Sequence, residues 1–172
     1  MSFAKAFELV LNLEGGFSNN PADKGGRTMG GITQKTYDAW RVRNGLLYAD
    51  VAGITRDEEA IIYREMYWET TGCEFLPELI GIAIFDIAVN SGPSNAIRIM
   101  QRLAGVTNDG ILGPKTKAAF AAVGGTSSLL MDVTDARMSF YCKIVQRDTS
   151  QVIFIDGWIR RARNLERSLL GM

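Results

Sequence analysis

From residue 79 to residue 90 the chain is apolar almost all round, interrupted only by Asp86 and Asn90. A helix that is hydrophobic on every face must be surrounded, so this segment predicts a central buried helix with other elements packed about it. Pro77 suits its first turn, and Ser91-Gly92-Pro93 breaks it. Helical periods recur on both sides. Phe3, Phe7, Val10 and Leu11 share one face of a first helix that stops at Gly15-Gly16. Thr33 caps a second helix through Arg43, with Tyr37 and Trp40 inward and Asn44-Gly45 at its end. Thr55 and Glu58 make a capping box for a third, whose stripe is Ile61, Ile62, Met66 and Tyr67 and which runs out at Thr71-Gly72. Beyond the central helix come residues 94–103, with Ile97, Met100 and Leu103 inward, then an Asn108-Asp109-Gly110 turn and a short helix opened by Pro114. That turn lacks the further ligand positions of a calcium loop. Two longer helical patterns, 127–145 and 152–170, flank the polar segment 146–151. Without a linker or repeat, the pattern reads as one continuous, mainly α domain.

One segment breaks the helical period. Residues 17–32 read Phe-Ser-Asn-Asn-Pro-Ala-Asp-Lys-Gly-Gly-Arg-Thr-Met-Gly-Gly-Ile, a loop or small β-hairpin directly after the first helix. A glycine-dense insertion carrying acidic and hydroxyl groups is where function is expected.

Composition narrows the chemistry. The chain has no histidine, which excludes a Ser-His-Asp triad, a Cys-His pair and an ordinary His-ligated zinc hydrolase. Acid–base work then falls to carboxylates. Charges balance at 19 Lys/Arg and 19 Asp/Glu, but unevenly: residues 1–86 hold eight basic and thirteen acidic groups, residues 87–172 eleven and six. The second half thus suits an anionic partner, or the difference is ordinary surface scatter. No dense basic run interleaved with aromatics points to nucleic acid. Cys73 and Cys142 stand far apart and read as buried thiols, with no support for a disulfide.

Glu14 closes the first helix, where the negative end of the macrodipole and the apolar Val10, Leu13 and Phe17 would raise its pKa. A carboxyl held protonated near neutral pH suits a general acid; taken alone, a helix-end glutamate is more simply a solvated one. Asp23, nine residues on, falls in a polar hairpin and should stay ionised, so that two carboxylates would sit in contrasting environments. Its other reading is an Asx-type turn residue. Thr28 either holds a water or is a half-buried strand residue. Gly30 and Gly31 allow positive φ and a close approach of backbone to a bulky ligand, or simply make a tight hairpin.

Glu14-Gly15-Gly16 followed by Asp23-Lys24-Gly25-Gly26-Arg27-Thr28-Met29-Gly30-Gly31-Ile32 resembles the signature of the glycoside hydrolase family 108 muramidases. These are lysozyme-like enzymes found among phage endolysins and bacterial secretion activators. The resemblance continues in Phe85-Asp86-Ile87-Ala88-Val89-Asn90-Ser91-Gly92. It also takes in Gln101, Gly105-Val106 and Asp109-Gly110-Ile111-Leu112-Gly113-Pro114-Lys115-Thr116, which are similar to the family's peptidoglycan-binding region. It implies a lysozyme-like helical fold with a small hairpin after the first helix and Glu14 as the catalytic acid. It also implies a catalytic region over about residues 1–90, with 91–172 a peptidoglycan-binding-like region of the same domain. The Glu-to-Asp spacing is also similar to that of the phage-type lysozymes of glycoside hydrolase family 24, from which the chain departs in a shorter Asp-to-Thr step and a missing histidine.

The expected activity is hydrolysis of the β-1,4 bond between N-acetylmuramic acid and N-acetylglucosamine, with Glu14 as acid and Asp23 and Thr28 positioning water. Lytic transglycosylation and catalytically silent peptidoglycan binding are the alternatives. Asn90 is a candidate for a sugar N-acetyl group, and Trp68, out of phase with Met66, for the rim of the cleft. Asp86, on an apolar helix, must be paired. The C-terminal stretch carries Arg160, Arg161, Arg163 and Arg167, which either contact an anionic envelope or form the solvated face of a packed helix. No metal or cofactor is expected, and the chain is expected to be a monomer. With no export signal in its first residues, it is expected to be made in the cytoplasm and to meet the wall after the membrane is opened.

Overall fold

The computed structural model describes residues 3–12 and 27–171. Glu14, Asp23 and the expected helix stop at Gly15-Gly16 lie outside the described residues. Among those described, the fold is mainly α, with eight α-helices and one two-stranded antiparallel hairpin. The chain divides into two compact units, residues 2–66 and 67–172. No helix among the described residues is long and apolar enough to cross a membrane.

In the first unit, α1 (Phe3–Leu11) buries Ala6, Phe7 and Val10, the face its period predicts. Strands β1 (Thr28–Met29) and β2 (Ile32–Thr33) pair with Thr28 opposite Thr33 and Met29 opposite Ile32. Their two-residue loop is Gly30-Gly31 at φ +51° and +77°. Positive φ at both positions makes the type I′ turn whose twist matches the flanking strands. The Oγ1 of Thr33 accepts the Thr36 N–H at 3.2 Å, so β2 passes directly into α2 (Gln34–Arg43). Helix α3 (Arg56–Tyr63) opens on the expected capping box: the Glu58 N–H donates to Thr55 Oγ1 and the Thr55 N–H to Glu58 Oε2.

After α3 the helix widens into a π-helical stretch, Arg64–Glu69. Its i→i+5 bonding advances the register relative to an α-helix. That shift corrects the expectation for Trp68, which is only 4 % exposed and meets Phe85 edge-on at 5.5 Å. Its ring fills core instead of lining a cleft rim.

In the second unit, α4 (Glu78–Ser91) is the predicted central helix, with residues 80–88 all buried. Around it stand α5 (Pro93–Leu103), α6 (Pro114–Ala122), α7 (Ser127–Arg147) and α8 (Ile155–Leu170), of which α5, α7 and α8 pack directly on α4. Each buried isoleucine of α4 contributes about 1.5–3 kcal/mol relative to exposure. Helix α8 starts at Ile155 instead of residue 152, because Asp148 caps a 3-10 turn, Thr149–Phe154, by accepting the Ser150 N–H. Cys73 is buried, which pushes its thiol up to about 12. Cys142 is exposed, contrary to expectation: Val133, Arg137 and Tyr141 take the inward face of α7, and the next residue points to solvent. Both thiols are free.

Candidate functional site

The hairpin presents the part of the signature that falls within the described residues. Thr28 is half-buried on β1. Gly31 is exposed at the tip, but Gly30 is buried. A Cβ on Gly30 would lie 2.6 Å from Glu59 Oε1 and 3.4 Å from Leu11, so the close approach that requires glycine there comes from the protein's own carboxylate. Glycine at position 30 is thus required by the protein's own packing. The Gly30 carbonyl accepts the buried Tyr63 hydroxyl at 2.5 Å, which ties the turn to α3.

Glu59 was not foreseen. Burial holds its carboxyl above the usual carboxylate range, against the pull of Arg56 3.7 Å away. Its signal lay in spacing: Glu59, Ile62 and Tyr63 stand at i, i+3 and i+4 on α3 and therefore share the buried face. The neighbouring Glu58 behaves in the opposite way. Partial burial alone would raise its pKa. The Thr55 N–H, the Tyr37 hydroxyl at 2.8 Å, the Thr55 hydroxyl and Arg41 Nη1 at 2.8 Å outweigh that, and its carboxyl is held low. Two adjacent glutamates thus differ in protonation behaviour because one faces apolar packing and the other faces donors.

In the second unit, Asp86 is fully buried and paired as its position demands. Arg161 donates from Nε at 3.0 Å and Nη2 at 2.6 Å to Oδ1, and Arg137 Nη1 lies 2.6 Å from Oδ2. The triad joins α4, α7 and α8. It also assigns Arg161 a structural place, which removes it from the arginines expected to face an envelope. Arg163 engages Glu166 at 2.9 Å and Asp135 at 3.5 Å. Arg160 and Arg167 are exposed and have no carboxylate partner among the described residues.

Asn90, half-buried at the end of α4, accepts the Tyr141 hydroxyl at 2.7 Å, and Tyr141 in turn accepts from Arg137 Nε. It lines a cavity of about 150 Å³ with Trp158 and Phe140. Thr28, Gly30 and Gly31 belong to the first unit, Asn90 and Trp68 to the second.

The motif around Asp109 is built on a buried amide. Gln101 Nε2 donates to Asp109 Oδ1 (2.8 Å), the Ile111 carbonyl (3.1 Å) and Thr116 Oγ1 (3.1 Å), while its Oε1 accepts the Gly110 N–H at 2.8 Å. One side chain thereby engages three loop groups and Thr116 on α6, and shapes a groove of about 600 Å³ lined by Val106, Thr107, Ile111 and Lys115. Asp109 Oδ1 also accepts the Ile111 N–H at 2.9 Å, as a turn residue does. The donors of Gln101 and Ile111 hold its carboxyl below the usual range.

A family model described as glycosyl hydrolase 108 matches residues 7–92, spanning α1, the hairpin and α4. A second, described as "Predicted Peptidoglycan domain", matches residues 95–163, which contain the Gln101 loop. The chain belongs to glycoside hydrolase family 108, with a peptidoglycan domain following the hydrolase region. Among solved structures, that of SagA from Brucella abortus is similar over nearly the whole length, at 33 % identity and a TM-score of 0.81. The match covers 98 % of this chain and 94 % of that one. No curated protein matches the chain.

Proposed function

We propose that this glycoside hydrolase is an N-acetylmuramidase that cuts the β-1,4 bond between N-acetylmuramic acid and N-acetylglucosamine in peptidoglycan. The observation that carries the reading is the succession, in one chain without histidine, of a family 108 region and a peptidoglycan domain. Peptidases and amidases that rely on imidazole are thereby set aside, and the sugar backbone is left as the target of a carboxylate pair.

Glu14 gives its proton to the glycosidic oxygen as the C1–O bond breaks. Water adds to C1 and yields its proton to Asp23, with Thr28 helping to hold that water. Thr28 has a place suited to this task, half-buried on the strand that leads into the Gly30-Gly31 turn. Inversion at C1 accompanies such a single displacement, for which the two carboxyl groups stand roughly 6.5–9.5 Å apart. The protein acts on the wall, as the endolysin-like members of the family do.

Digestion of purified peptidoglycan followed by borohydride reduction tests the bond. The reading predicts reduced muramic acid at the new ends. Reduced glucosamine would mean the other glycosidic bond, and 1,6-anhydro-muramic ends would mean a lytic transglycosylase, which needs no water-positioning Asp23.

A further inference from the structure

In the second unit two cavities adjoin and share Asn95, Phe140 and Ile144. One, of about 190 Å³, has Arg98, Arg102, Lys143 and Arg147 in its wall and no acidic residue. The cations form two i,i+4 pairs, one on α5 and one on α7. Like charges at that spacing oppose helix stability, and the packing of α5 on α7 brings both pairs to one concavity. Among the described residues, three of the four are left without a counter-charge by their own fold. Arg98 donates to the Asn108 carbonyl at 2.6 Å, whereas Arg102, Lys143 and Arg147 are exposed and have no carboxylate partner among the described residues. Asp148, next to Arg147, accepts instead from Ser150 and Gln151. Three cations that no internal contact requires, gathered with Arg98 around one hollow, suit an anion with more than one negative group.

The adjoining cavity has a different character. Trp158 lies 5.2 Å from the Tyr141 ring and 5.9 Å from Phe154, which gives it an aromatic wall. Asn90 Oδ1 is occupied by the Tyr141 hydroxyl, and its Nδ2 has no partner among the described residues. The volume of about 150 Å³ equals some five waters at ~30 Å³ each, room for an acetamido group or one edge of a sugar but not for a saccharide chain. Aromatic surface with a single amide donor is the lining an N-acetylated sugar uses.

The geometry points to a composite subsite for the peptide-bearing sugar of peptidoglycan. The N-acetyl group of the muramic acid sits against Trp158 and Asn90, and the free carboxylates of its peptide stem sit among Arg98, Arg102, Lys143 and Arg147. The identity of the ligand rests on the peptidoglycan reading above; the subsite itself uses neither Glu14 nor Asp23. It makes the peptide stem a determinant of binding, so stems with amidated carboxylates bind more weakly than free acids.

Calorimetric titration of the full chain tests this with a disaccharide ending in N-acetylmuramic acid, which holds no bond the enzyme cuts, prepared with and without its stem peptide. The stem-bearing form is expected to bind about tenfold more tightly, and R102Q/K143Q/R147Q to abolish that preference. A salt series on the wild type asks the same question without mutation: the stem-bearing ligand, with several carboxylates, should weaken more steeply as salt rises than the stem-less one, which carries only its lactyl carboxylate. Equal affinity for the two ligands, or an unchanged preference in a variant whose circular dichroism is that of the wild type, would overturn the subsite. So would tighter binding of a poly(glycerol phosphate) than of the stem-bearing disaccharide, since the cavity would then serve a phosphodiester polymer. A wild type that cuts no glycan yet binds the stem with this salt dependence supports the subsite and defeats only the muramidase reading.

Discussion

Glu58 in the first unit and Asp86 in the second each accept from an arginine, but with different surroundings. Glu58 keeps 20 % of its side chain exposed and shares its load among Arg41, Tyr37 and Thr55. Asp86 has no exposure and is held by two arginines from α7 and α8. Water can replace a lost partner of Glu58; nothing can replace Asp86. The first network ties α2 to the first turn of α3 at a partly exposed site, while the second clamps three helices at the core, and the effects of breaking them should scale accordingly.

The largest effect is expected from Asp86→Ala. It leaves buried Arg137 without its counter-ion, and loss of one partner of a buried pair costs about 3–5 kcal/mol. Urea unfolding followed by circular dichroism measures this; a loss below about 1 kcal/mol would show that Arg137 and Arg161 find other acceptors. Gln101→Leu should come next, at about 1–3 kcal/mol, because a buried hub is lost and loop donors and acceptors are stranded. Amide exchange should rise first at Gly110 and Ile111, and unaltered protection there would contradict the hub. Gly30→Ala should cost about 1–3 kcal/mol, since alanine at φ +51° is strained and its Cβ meets Glu59. A normal melting temperature would mean that the hairpin can re-form another way.

The smallest and most diagnostic effect concerns pH. The Glu58 carboxyl is held low in the folded state, so its contribution is present above the unfolded pKa and is lost as pH falls through the folded one. Glu58→Gln should therefore destabilise at neutral pH, by under about 1 kcal/mol at this partly exposed site, and match the wild type in acid. Glu59 is held high, so ionising it costs stability as pH rises through its folded pKa. The Glu59→Gln variant should gain relative to the wild type between acid and neutral pH. The same sign for both variants in thermal melts across pH would show that the two glutamates share one environment.

Much of the fold was written in local pattern. The all-round apolar run gave away α4, the Thr55–Glu58 spacing gave a capping box, and the paired glycines after Met29 gave the hairpin. What escaped the sequence depends on partners far away along the chain. Arg161 reads as a surface cation until Asp86, 75 residues away, claims it. Arg98 with Arg102, and Lys143 with Arg147, become one cluster only because α5 packs on α7. Trp68 was misjudged because a change from i→i+4 to i→i+5 bonding leaves no trace in hydrophobic periodicity. Of the candidate site, Thr28 and the glycine turn were placed correctly on a hairpin, whereas Glu59 behind that turn went unseen because it sat beside a glutamate with an obvious capping role.

The central claim is carboxylate cleavage of the glycan strand, and its most direct test compares wild type with Glu14→Gln on purified peptidoglycan. Soluble fragments are resolved by mass spectrometry, and both proteins are first shown to melt alike. The account predicts muropeptides ending in N-acetylmuramic acid from the wild type, and a loss of at least about a hundredfold in their release by Glu14→Gln, as removal of a general acid entails. Equal release of those fragments by the two proteins would contradict it.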